Sequence, residues 1–288
     1  MKKFTFKLWA VLLLMLVSLQ TFATDNEYGL KDNIQDGVIL HCFDWTYAQI
    51  KEELPNIAAA GFSAVQTSPA HPREPVGAAW YMLYQPYDYK VGENGLGTKE
   101  GLTELCTEAH QYGVKIIVDV VANHTNGSLS YVASFWQDKS LYHDYQGGID
   151  YSNRWQVTHG RIGMWDLKTE DSRVQEKIKE YVAELKPCGV DGIRWDAAKH
   201  IGLPSEGDTF WQNVPDQTMY NYGEILDGTS GDDTVSEKVE VVSQTTGVQL
   251  HPVAGESSAK AMIYNLQGQR VDANYRGVVV CNGRKYVQ

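Results

Sequence analysis

Between residues 37 and 227, short β-prone apolar runs alternate with longer stretches of helical periodicity. A chain so patterned folds as successive parallel βα units. Residues 37–45 read as a buried strand, followed by a helix over roughly 47–60 in which Pro55 predicts a kink or restart. Gly61 closes it, and Phe62 to Thr67 form a second strand. A further helix runs from about Lys99 to Tyr112, before the nearly continuous apolar strand Val114 to Val121, interrupted only by Asp119. Residues 125–165 are polar, aromatic and glycine-rich, and read as a long excursion. From Ser172 onward, Val174, Ile178, Val182 and Leu185 recur on one helical face. Pro187 and Gly189 stop that helix ahead of a fourth strand, Val190 to Trp195, and a fifth follows over Met219 to Leu226. Beyond Asp227 the helical pattern ends. The β-prone runs at 239–242, 261–266 and 277–280 predict a small β-rich module over about 235–288.

The amino terminus has a different logic. Lys2 and Lys3 precede the apolar run Leu8 to Leu19 and then Thr21-Phe22-Ala23, the pattern of a secretory signal peptide (residues 1–23) cut after Ala23. The run is too short to favour a membrane span, so the expected protein is exported, whether periplasmic, cell-surface or extracellular. A net charge of −11 repels phosphate backbones and argues against a nucleic-acid partner, leaving a neutral polymer or a cation open. Cys42, Cys106, Cys188 and Cys281 show no metal-binding spacing and leave three disulfide pairings open. Cys42, inside an apolar run, reads as a small buried residue.

Chemistry collects at strand ends. The third strand finishes as Asp119-Val-Val-Ala-Asn123-His124, the fourth as Gly192-Ile-Arg194-Trp-Asp196-Ala-Ala-Lys199-His200, and the fifth carries Tyr222-Gly223-Glu224. In a parallel α/β barrel such ends converge on one face, where active sites lie. Two carboxylates there can serve as nucleophile and general acid/base for glycosidic bond cleavage. Arg194, two residues before Asp196, falls on the same side of its strand and is expected to help keep that carboxylate ionised. Asp119 reads as a buried, hydrogen-bonded structural acid, and His41 and His71 as structural or surface residues.

These motifs resemble the D-x-x-x-N-H and G-x-R-x-D-x-x-K-H patterns of the α-amylase family of glycoside hydrolases. Trp80-Tyr81 and Tyr84-Gln85-Pro86 resemble its aromatic platform, and Trp165-Asp166-Leu167 the segment that closes the domain inserted after the third strand. The resemblance covers roughly 37–227. It implies a (β/α)8 TIM barrel over 24–227, with 125–165 as the inserted excursion, acting on α-1,4-glucosidic bonds of starch or maltooligosaccharides. By the same resemblance Asp196 is the nucleophile and Glu224 the acid/base. Arg194 and His124 hold the nucleophile and the reacting sugar, Tyr84 stacks on that sugar beside Gln85, and Trp80 and Tyr81 form the platform. Lys199 and His200 face the leaving group. Asn123, Asp166 and the His200 main-chain carbonyl are implied ligands of a structural Ca²⁺, a cation suited to hard oxygen donors. A monomer is expected, with an α-glucan as its partner. In the excursion, Trp136, Tyr142, Tyr145, Tyr151 and Trp155 are candidate substrate contacts.

The pattern also departs from the family. A third catalytic Asp, expected in an H-D motif after a seventh strand, has no counterpart, since His143-Asp144 lies before the fourth strand. About five of eight strands are legible, where a full barrel takes about 250 residues. Such a partial barrel is expected to leave open edges and an apolar interior face exposed to water. A non-catalytic glucan binder and a non-functional fragment therefore stand beside the hydrolase reading. The tail, Met262 to Val271 and Arg276 to Lys285, resembles C-terminal modules of exported Bacteroidetes proteins.

Overall fold

The computed structural model describes residues 26–73, 79–145 and 147–225, together with the backbone of short strands between 240 and 287. The proposed signal peptide and most of 235–288 lie outside the described residues. Five strands pair in parallel in chain order: β1 (Ile39–Cys42), β2 (Ala64–Thr67), β3 (Lys115–Val121), β4 (Gly192–Asp196) and β5 (Tyr220–Gly223). A two-residue β6 (Glu240–Val241) pairs in parallel with β5. The run at 239–242, expected in the terminal module, thus contributes to the barrel sheet. The remaining strands, β7 (Ile263–Asn265), β8 (Arg270–Val271), β9 (Val278–Cys281) and β10 (Arg284–Val287), form a separate antiparallel sheet.

Helices fill the crossovers. α1 (Tyr47–Ala59) joins β1 to β2, and α2 (Lys99–Gln111) joins β2 to β3. The short α3 (Arg154–His159) sits in the excursion, α4 (Ser172–Leu185) leads into β4, and α5 (Phe210–Asn213) precedes β5. Thr46 and Gln49 close a reciprocal capping box at the start of α1, with bonds of 3.1 and 2.8 Å. The restart expected at Pro55 does not occur. Pro55 lies at an exposed position of α1, which continues to Ala59.

Strand alternation separates two environments. Leu40, Cys42, Val65, Ile116, Val118, Val120, Ile193 and Trp195 lie on the helix side and are buried. Against them pack Ile50, Leu54 and Ile57 of α1, Leu102 and Leu105 of α2, and Val174, Ile178, Val182 and Leu185 of α4. Burying each such side chain is worth about 1.5–3 kcal/mol. The opposite face carries His41 opposite Gln66, and Asp119 opposite Arg194 opposite Tyr222. The Tyr222 hydroxyl donates to Gln66 Oε1 at 2.5 Å, linking β5 to β2 across the concave side. The interior face therefore carries a polar layer alongside Ile117 and Val121, and is not the apolar surface expected. The fold is a partial (β/α)8 barrel whose hydrophobic core lies outside the strands.

Candidate active site

Arg194 is the hub of the concave face. Its Nη1 donates to both oxygens of Asp119 at 2.7 Å and to Asp196 Oδ1 at 2.9 Å, while Nη2 pairs with Glu224 Oε1 at 2.6 Å. Adjacent strands explain the convergence: Asp119 lies opposite Arg194 in the β3–β4 register, and Glu224 follows β5 directly. One guanidinium thus serves three carboxylates, and it does not neutralise them. Burial pushes Asp196 up to about 7, with Arg194 pulling down and Asp119 and Glu224 pushing further up. Arg194 does touch Asp196, as its spacing implied, but burial and like charge outweigh its effect. Asp119, fully buried as expected, is likewise raised by burial against the pull of Arg194.

The turn after β4 helps aim Glu224. Ala197 takes a left-handed conformation, φ +49°, rare for a residue with a side chain. Its N–H donates to Glu224 Oε2 at 3.2 Å, while the Glu224 N–H donates to the Trp195 carbonyl at 2.9 Å. Both ends of Glu224 are tied to the β4 terminus.

One wall rises from the turn Trp80–Tyr84. The Tyr84 hydroxyl donates to Asp119 Oδ2 at 2.9 Å, and its ring stacks on Phe43 with centroids 6.1 Å apart. Phe43 also packs 5.4 Å from Trp80, which is 54% exposed and meets Tyr81 edge-on. His124 Nε2–H donates to the Tyr84 carbonyl at 3.0 Å, and burial lowers its pKa to about 4. The ring is therefore neutral, with a buried Nδ1 that makes no hydrogen bond. Gln85 accepts from Asn126 at 3.3 Å. On the other side Lys199 and His200 are buried. Lys199 Nζ lies 5.3 Å from the Tyr151 ring centre, and His200 Nδ1–H donates to the Val157 carbonyl at 2.8 Å.

Two site neighbours escaped the sequence reading. His41 lies on the concave face, its pKa lowered to about 4 by burial and then by Arg194, and Phe43 supports both Tyr84 and Trp80. The signal available was alternation on β1, which sets both two residues apart on the side facing the motifs. Two excursion aromatics were misread. Trp136 and Tyr142 are fully buried, the first donating to Asp88 at 3.1 Å and the second to the Trp136 carbonyl at 2.7 Å. Tyr145 is half-buried, whereas Tyr151 and Trp155 are exposed.

Asn123 and Asp166 also meet: Asn123 Nδ2 donates to Asp166 Oδ1 at 3.1 Å. His143 Nδ1–H donates to the other Asp166 oxygen at 2.7 Å and Nε2–H to Glu170 at 3.2 Å. His143 is thus engaged away from the Arg194 cluster. Burial raises Asp166 to about 6. The buried Asp166 carboxylate and the Asn123 amide form a donor pair for a hard cation once that amide is turned to present its oxygen, with His143 as outer-shell partner. Among the described residues no group of three or more His, Cys, Asp or Glu could hold a metal, so such a site would depend on amide and carbonyl oxygens.

The family model described as alpha amylase, catalytic domain, matches residues 44–279, running past residue 227 into the stretch read as a separate module. An alpha-amylase of Clostridium acetobutylicum is 40% identical over 227 residues, covering 72% of this chain and 30% of that protein. One of Butyrivibrio fibrisolvens is 32% identical over 247 residues, covering 72% and 25%. Among solved structures, an alpha-amylase from Malbranchea cinnamomea superposes with a TM-score of 0.59 at 27% identity, over 68% of this chain and 44% of that one. Alpha-amylase I of Eisenia fetida, solved with maltohexaose, gives 0.58 at 23% identity, over 66% and 45%, a likeness of fold. The chain spans less than a third of the length of the two curated relatives.

Proposed function

This chain belongs to the α-amylase family of glycoside hydrolases, and from that premise we propose that it cleaves α-1,4-glucosidic bonds of starch or maltooligosaccharides with retention of configuration. The observation that carries the reading is the attachment of Asp196 and Glu224 to the two neighbouring terminal nitrogens of Arg194. Closely spaced carboxyls, roughly 5 Å apart, are what a covalent glycosyl-enzyme mechanism uses. Asp196 attacks the anomeric carbon as the bond to the leaving oxygen breaks, and Glu224 gives its proton to that oxygen. Glu224 then takes a proton from water, which attacks the same carbon and releases Asp196. Asp196 must be ionised to attack, so turnover should rise through pH 7, where its carboxyl titrates.

Tyr84 and His124 bound the reacting sugar, Trp80 and Tyr81 offer exposed ring faces to the glucan, and Lys199 and His200 line the leaving side. Asn123, Asp166 and the His200 carbonyl would hold Ca²⁺, which would supply positive charge to the buried Asp166 and tie the excursion to the barrel. The signal-peptide pattern of residues 1–23 supports action outside the cytoplasm, and the acidic surface suits a neutral polymer.

The test is reducing-sugar release from soluble starch by the full chain with Ca²⁺, beside Asp196→Asn and Glu224→Gln. Turnover lost in both variants supports the mechanism. Glucan binding without turnover in the unmodified chain would establish the binder reading instead, and neither binding nor turnover would overturn both.

A further inference from the structure

The inserted excursion reaches back to the β4 end through one side chain. Arg154 opens α3, and its guanidinium uses four of its five N–H groups on the segment after β4. Nη1 donates to the Lys199 carbonyl and Nη2 to the Ile201 carbonyl at 3.0 Å, so the two carbonyls flanking His200 are both held. Nε and Nη2 grip Glu206 through both carboxylate oxygens, at 2.8 and 3.0 Å. Glu206 Oε2 in turn accepts the Leu203 N–H at 2.8 Å, folding the turn Pro204–Glu206 onto the same anchor. The His200 bond to the Val157 carbonyl adds a second tie to α3.

This segment needs such a tie. β4 ends at Asp196, β5 does not begin until Tyr220, and Lys199 and His200 stand in a single 3₁₀ turn, Ala198–His200, between them. A planar fork that binds two carbonyls and one carboxylate at once is a task for arginine, which a lysine ammonium cannot copy.

We propose that Arg154 is a positioning residue that fixes the Lys199–His200 wall of the cleft from the excursion, so that excursion and wall move as one body. The functional half of the proposal rests on the reading of the cleft as a glucan site. Its structural half does not. A sugar on the leaving side meets a wall preset in place, and misplacing such a wall by about 1 Å costs up to roughly a hundredfold in rate.

The experiment compares the full chain with Arg154→Gln, Arg154→Lys and Glu206→Gln. Two readouts are taken: amide hydrogen exchange, and maltoheptaose affinity by calorimetry. Arg154→Gln is expected to speed exchange over 199–206 while sparing β3 and β4, and to weaken maltoheptaose about tenfold. Arg154→Lys should not restore the affinity, because its charge remains but the fork is gone. Glu206→Gln keeps the two carbonyl bonds and should give a smaller change in the same direction, which serves as the reading if Arg154→Gln does not fold. Unchanged exchange over 199–206 overturns the clamp. Faster exchange with unchanged affinity, or full rescue by lysine, overturns the positioning role alone. Failure of the unmodified chain to bind maltoheptaose, with faster exchange in Arg154→Gln, overturns the glucan reading and the wall's role together while leaving the clamp standing.

Discussion

Asp119→Asn removes one of the three carboxylates that share Arg194 while keeping the side-chain shape. Asp119 and Asp196 both contact Nη1, at 2.7 and 2.9 Å, so their nearest oxygens are no more than about 5.6 Å apart. Two like charges at that distance repel by about 3 kcal/mol at an effective dielectric of roughly 20. At about 1.36 kcal/mol per pH unit this is roughly two units before any screening. Arg194 lies between the two acids and screens them, so a fall of about one unit is the working expectation. Both consequences of the change lower the Asp196 midpoint from about 7: the like charge is gone, and Arg194 is freer to pair with Asp196. The assay is an NMR titration of ¹³C-labelled Asp carboxyls in the full chain, which reads Asp196 whether or not the chain turns over. Stability carries the same sign. Because burial raises Asp196 above its unfolded value, the folded chain holds an extra proton between about pH 4 and 7 and loses stability as pH rises through that window. Asp119→Asn should shorten the window from its upper end. A midpoint that stays near 7 or climbs would refute the reasoning, because it would mean that Asp119 mainly holds Arg194 in place.

Aromatic residues of equal size should separate by burial. Trp80→Ala, at an exposed site, is expected to weaken maltoheptaose about fivefold, near 1 kcal/mol, with an unchanged Tm. Trp136→Ala should cost about 3–5 kcal/mol in urea unfolding, since it empties a fully enclosed volume and leaves Asp88 short of a donor. A melting loss at Trp80, or none at Trp136, would contradict these placements. Chelation with EDTA should lower the Tm of the unmodified chain and leave that of Asn123→Ala where it already lies, because only a bound cation stabilises by mass action. Equal shifts in both would exclude Asn123 as a ligand.

The parts of the site that were legible are those that sit close together along the chain. Arg194, Asp196, Lys199 and His200 fall within seven residues, at a strand end whose direction the βα alternation had set. The order of β1 to β5 and the bounds of α2 and α4 followed from the same periodicities. The hub itself was not legible, because its members come from different strands. His41, Gln66, Asp119 and Tyr222 each look like a single polar interruption of an apolar run. Only the pairing of His41 with Gln66, and of Asp119 with Arg194 and Tyr222, shows them to be one polar layer. The error about an apolar interior has the same origin: counting apolar residues per strand ignores that alternate positions face opposite ways. The charge state of Asp196 was only partly legible for a related reason. Spacing revealed its partner, Arg194, but burial and the two competing acids become visible only when β3 and the chain after β5 are brought alongside. A motif names the groups that perform chemistry, whereas their ionisation depends on neighbours that lie a whole βα unit away.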